Sequence, residues 1–165
     1  RTVITRSWPR GQFARHTMFQ IISGYVMHIG LLIVIMLFVP HILFFKALLG
    51  FDWPGLPNNL VMVAGGLTLA VLIALLVRRM THPVLKMISG PDDYISWFAT
   101  TLPVATGLMA YAHLGPRYET MLAIHILSIA FLMVWFPFGK LMHSILIIPS
   151  RAQMGAMFSR RGVKV

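Results

Sequence analysis

The chain has 165 residues, 58% hydrophobic and 11% charged, with a mean hydropathy of +0.79, more apolar surface than a water-soluble core of this length absorbs. It has no cysteine, which excludes an internal iron–sulfur cluster, a thiolate-ligated haem and a disulfide framework. A net charge of +10 would suit nucleic acid in a soluble protein, but here the cations flank apolar stretches, so the charge reads as membrane topology and not as a nucleic-acid surface.

A helix that crosses the hydrocarbon layer takes about 20 mostly apolar residues. Four stretches qualify, 18–41, 57–77, 94–113 and 121–148. They predict an all-α membrane protein in which one four-helix transmembrane bundle, residues 18–149, lies between a basic arm, 1–17, and a basic tail, 150–165. Arg1, Arg6, Arg10 and Arg15 precede the first span. Arg78, Arg79 and Lys86 lie between the second and third, and Lys140, Arg151, Arg160, Arg161 and Lys164 lie at or beyond the end of the fourth. The remaining connections carry only Lys46 and Arg117 as cations, beside Asp52 and Glu119. Cations gather on the cytoplasmic side of membrane proteins, so both termini are expected there.

The first span runs to Pro40-His41, with a continuation to Leu49 open. Gly50 to Pro57 reads as an outer loop, because its closely spaced Gly and Pro residues do not sustain a helix, and Phe51 and Trp53 suit the membrane interface. The second span carries Gly65-Gly66, small residues that suit close helix packing or the approach of a flat ligand. Ser89-Gly90-Pro91-Asp92-Asp93 opens the third span, with Ser or Asp as its cap. The fourth follows Glu119 and is expected to kink at Pro137.

Seven histidines occur. His16 and His82 fall in basic segments and read as solvated or headgroup-contacting. His28 and His125 lie within apolar helix, where polar groups are costly and usually functional, while His41, His113 and His143 lie near span ends. His125 and His143 are eighteen residues apart, five turns of one helix face and roughly 27 Å of axial rise. Two stacked ligand sites on one helix are what electron passage across a membrane requires. Because the first and fourth spans run in opposite directions, His28 pairs with His143 at the inner side and His41 with His125 at the outer. Two neutral imidazoles complete the coordination of a haem iron and favour electron transfer over oxygen binding. The thirteen residues from His28 to His41 turn an ideal helix by roughly 220°, so the two do not share a face unless Pro40 distorts the turn; His113 competes with His41 as outer ligand.

The segment from His125-Ile126-Leu127 through Phe136-Pro137-Phe138-Gly139-Lys140 to His143, with His28-Ile29-Gly30, Ala64-Gly65-Gly66, Arg78-Arg79 and Pro83, resembles cytochrome b subunits related to the gamma subunit of respiratory nitrate reductase. The spacing of His28 and His41, Trp53 to Pro57, Asp93-Tyr94 and Arg160-Arg161-Gly162 resemble most the branch found in dissimilatory sulfite-reduction electron-transfer complexes. In nitrate reductase gamma subunits the two first-span histidines are closer together. The resemblance implies a prokaryotic cytoplasmic-membrane protein with two haems b as cofactors, His28, His143, His41 and His125 being the axial ligands of the iron. It also implies a quinol dehydrogenase that takes menaquinol or ubiquinol and passes electrons to an iron–sulfur or other redox subunit. Lys46, Asn58, Asn59, Tyr111 and His113 are the candidate quinone contacts, and Lys140, Arg78 and Arg79 the candidate partners of haem propionates. Members of the family commonly carry one more helix before these four, so a preceding segment is expected. The alternatives are quinone reduction by reversed flow, a non-redox anchor, and a transporter that uses its histidines as proton relays.

Overall fold

The computed structural model describes residues 11–163 and, within them, all side chains except those of 12–16. Arg1, Arg6, Arg10 and Lys164 therefore lie outside the described residues, as do the side chains of Arg15 and His16. The described residues form seven α-helices: α1 Gly11–Leu37, α2 Val39–Leu49, α3 Asn58–Thr81, α4 Pro83–Ile88, α5 Pro91–Tyr111, α6 Tyr118–Trp135 and α7 His143–Arg160, with a 3-10 turn at Lys140–Met142 before α7. Three of them are long and apolar enough to cross a membrane, over Thr17–Leu37, Asn58–Thr81 and Tyr118–Trp135.

The third expected span forms a helix of full length but is less apolar than these three, and its packing explains why. α5 lies against both α3 and α6 and buries Ser96, Ala99, Thr101, Val104, Thr106 and Ala110. A helix flanked by two neighbours meets lipid on a narrower face, here that of Ile95, Phe98 and Met109, so small and hydroxyl side chains are tolerated on the rest of it. The outer surface is the reverse: Leu32, Phe44, Val63, Leu127 and Val134 are all exposed. Apolar residues outside over a narrow core of small and hydroxyl residues is the pattern of a bundle solvated by hydrocarbon.

Two expected spans are each divided. The first breaks at Phe38, whose backbone is extended, φ −82° and ψ 123°. The cause is Pro40, which has no N–H to offer the Met36 carbonyl one turn back. The freed carbonyls are taken up from elsewhere: the Trp53 indole N–H donates to Met36, the Leu56 N–H to Leu37 at 2.9 Å, and the His41 ring to Val34 at 2.8 Å. The fourth expected span is corrected further. Pro137 does more than kink it: α6 stops at Trp135, residues 136–139 turn, and α7 begins afresh at His143. Gly139 lies so close to the Trp135 indole that any side chain there would collide with it. His125 and His143 are thus not on one continuous helix, and the five-turn argument for a shared face does not apply.

The cap of α5 also differs in detail. Gly90 is the N-cap residue; its N–H donates to the Asp93 carboxylate at 3.0 Å, and its carbonyl accepts from the Asp93 N–H at 3.1 Å. Ser89 instead donates to the Leu85 carbonyl at 2.6 Å, closing α4. Asp93 then joins three elements, accepting from Arg79 at 2.8 Å and from Lys140 at 2.6 Å. Burial would raise the carboxyl's pKa, but the Lys140 hydrogen bond, the Gly90 N–H and the Arg79 and Lys140 charges outweigh it and hold it below the ordinary 3.8. At the other end of the bundle, Lys46 pairs with Asp52 at 2.8 Å.

Candidate functional site

The packing order is α1 on α3, α3 on α5 and α5 on α6. Among the described residues, no comparable backbone contact joins α1 or α2 to α6 or α7. The bundle is therefore open along one seam, and the four histidines of the predicted pairs face one another across it. The His28 and His143 ring centroids are 5.9 Å apart with planes at 83°. Those of His41 and His125 are 6.3 Å apart and nearly parallel, at 14°.

These separations are informative. A first-row metal–imidazole bond is about 2.0–2.1 Å and a ring centroid lies about 1.1 Å behind its nitrogen, so two imidazoles opposed across one metal ion stand roughly 6.3 Å apart. No three His, Asp or Glu residues of the described chain gather at one point. Each pair thus offers two ligands, which is the number a haem takes from its protein, the macrocycle supplying the other four.

Hydrogen bonding fixes which nitrogen each ring presents. His28 Nδ1 lies 2.7 Å from the Gly24 carbonyl, His41 Nδ1 2.8 Å from Val34 and His143 Nδ1 2.6 Å from Lys140. A carbonyl only accepts, so in the neutral ring the proton is on Nδ1 and the Nε2 lone pair is left for a ligand. His125 Nδ1 lies 3.1 Å from Thr106 Oγ1. That hydroxyl hydrogen is directed to the Leu102 carbonyl at 2.8 Å, so it too accepts from the ring. An imidazole whose second nitrogen donates to an oxygen is the usual arrangement of a metal-bound histidine.

The local backbone produces these positions. The break at Phe38 re-aims His41, which would otherwise be turned away from the face of His28, and ring packing at 5.2 Å from Phe38 steadies it. Gly107 on α5 lies beneath the His125 ring, where a Cβ would stand 2.9 Å from Cε1. His143 is the first residue of α7 and bonds back to the turn that Asp93 ties down through Lys140. Thr106, Gly107 and Ser128 carry much of this geometry and are missed by sequence reasoning, which names Asp93 only as a cap and as part of the Asp93-Tyr94 resemblance. The signal in hand was the run of hydroxyl and small residues at 96–107, unusual within an apolar span.

The remaining candidates are placed as follows. His113 adopts a left-handed backbone, φ 53°, at the end of α5, and its ring packs on Tyr118 at 5.5 Å rather than in either pair. Tyr111 contacts Phe38 at 5.9 Å, beside His41. Lys46 is committed to Asp52, and Asn58 and Asn59 are exposed at the start of α3. Arg78 donates to Gln20 at 2.7 Å and lies 5.1 Å over the Phe19 ring, while Arg79 and Lys140 share Asp93. Gly65 serves helix packing, against Leu108 and Val34, whereas Gly66 faces open space.

The chain is similar to a protein of Nitratidesulfovibrio vulgaris, 27% identical over 159 residues that make up 96% of this chain and 67% of that protein. No family model matches the chain. No solved structure matches it.

Proposed function

We propose that this chain is the dihaem cytochrome b subunit of a membrane oxidoreductase, with α1, α3, α5 and α6 as four crossings and the basic end cytoplasmic. The carrying observation is the seam: two imidazole pairs at metal-bridging separation, each ring with Nδ1 donating and Nε2 free, on the two edges of the bundle that do not pack on each other. His28 and His143 would hold one haem b, and His41 and His125 the other. Bound there, the two groups would supply one-electron carriers.

The protein's own part is to fix ring orientation and keep each Nε2 unprotonated. Quinol is the proposed donor, oxidised at the end that carries His41, Tyr111 and the Lys46–Asp52 pair. The electrons leave at the Arg79–Asp93–Lys140 end toward an iron–sulfur or other redox subunit. Cations on that end suit a docked acidic partner as well as a cytoplasmic orientation.

The test is the visible spectrum of the purified chain. A reduced-minus-oxidised b-type signal with two irons per polypeptide is expected, and a colourless protein overturns the reading in favour of an anchor or transporter. His125→Ala and His143→Ala should each remove one haem, and a different one. Retention of both haems in both variants would sink the ligand assignment.

A further inference from the structure

The two pairs differ in one respect that the haem reading does not itself require. Three of the four rings donate to a backbone carbonyl, whereas His125 donates to a hydroxyl. That hydroxyl is held in a small network: Thr106 Oγ1 gives its hydrogen to the Leu102 carbonyl and lies 3.2 Å from Ser128 Oγ, whose own hydrogen goes to the His125 carbonyl at 2.6 Å. Thr106 and Ser128 are both buried. Gly107 leaves the space that brings the ring up to Thr106.

We propose that Thr106 is a positioning residue that tunes His125, making it a weaker electron donor than the three carbonyl-bonded histidines and so raising the potential of the haem it ligates. The inference rests on the dihaem reading above. The physical link is the hydrogen bond at Nδ1. A strong acceptor there draws the proton away, makes Nε2 more basic and stabilises the more highly charged oxidised iron. A neutral hydroxyl accepts more weakly than an amide carbonyl, so ferric iron at this pair is less stabilised. An electron then favours the His41–His125 haem more than its ligand set alone would dictate. The Pro103 carbonyl, 3.3 Å from Thr106 Oγ1, stands near the same ring, so a second oxygen is at hand to replace Thr106 as acceptor.

The test is a redox titration of the two b-type components in the wild-type chain and in Thr106→Ser, Thr106→Cys and Thr106→Val, with the haems distinguished by the spectra of His125→Ala and His143→Ala. Serine keeps the hydroxyl and should leave both potentials in place. Cysteine and then valine weaken and remove the acceptor, and should raise the His125 component progressively while the other stays fixed. A loss of the order of tenfold in the stability of the oxidised form, the scale of such outer contacts, corresponds to about 59 mV for one electron. The proposal is overturned if the His125 component does not move, if both components move together, or if it moves down, which would mean the ring had turned to the Pro103 carbonyl. Should the valine variant lose that haem, the serine and cysteine variants decide by the same criteria. A wild-type chain without haem would overturn the dihaem reading itself, an outcome separate from an immobile potential in a chain that binds both.

Discussion

At the scale of single residues, Asp93 shows how one carboxylate can organise the end of a bundle. Its side chain is only 8% exposed, and it joins α3, α5 and the turn before His143. Its pKa is held below the ordinary 3.8. A carboxyl depressed on folding contributes stability that is fully present above its unfolded pKa and is lost as pH falls through its folded pKa. The wild-type protein in detergent should therefore lose thermal stability steeply below about pH 4, and Asp93→Asn should remove much of that slope. At neutral pH the variant should cost about 1–2 kcal/mol, less than a wholly buried pair because Arg79 and Lys140 reach solvent. A scan of melting temperature against pH measures both, and parallel profiles for the two proteins would contradict this role. The histidines at the seam were legible in the sequence because a ring nitrogen in hydrocarbon has few uses. The residues that orient them were not, since their acceptors are backbone carbonyls or hydroxyls of a kind that any packed membrane helix carries.

At the scale of elements, proline shapes the site by its missing donor. An uninterrupted helix would turn His41 away from the face of His28; the break before Pro40 removes that constraint, and three donors occupy the carbonyls around it. If Trp53 is there to satisfy the Met36 carbonyl, Trp53→Phe should destabilise the protein by about 1–3 kcal/mol, the cost of a buried acceptor left without a partner. In a Pro40→Ala background, where residue 40 regains its N–H, the same change should cost less. A double-mutant cycle in thermal or denaturant unfolding reads this coupling, and additive costs would show that the indole acts only through its bulk. The break itself was partly foreseeable, because Pro40 and the conflict of faces both point to it. The end of α6 was foreseen only as a kink at Pro137. The eighteen-residue spacing of His125 and His143 fits five turns so well that it argues for a continuous helix, yet Pro137 and the Gly139–Trp135 contact divide it.

At the scale of the whole molecule, the question is how a chain with three strongly apolar helices is threaded. α5 packs along α3 and α6, both long and apolar enough to cross, despite its hydroxyl-rich sequence. A four-crossing bundle follows if the helices that flank it cross, and the connections must then alternate between the two sides. The absence of native cysteine makes this directly measurable with single introduced thiols and a membrane-impermeant reagent. Phe51→Cys and Leu114→Cys should label from one side, and Lys86→Cys and Met157→Cys from the other, with the second pair facing the cytoplasm as the clustering of cations requires. Labelling of Leu114→Cys from the same side as Lys86→Cys would mean that α5 does not cross. The two histidine pairs would then no longer be framed by four antiparallel spans, and passage of electrons from one membrane face to the other along this seam would lose its structural basis.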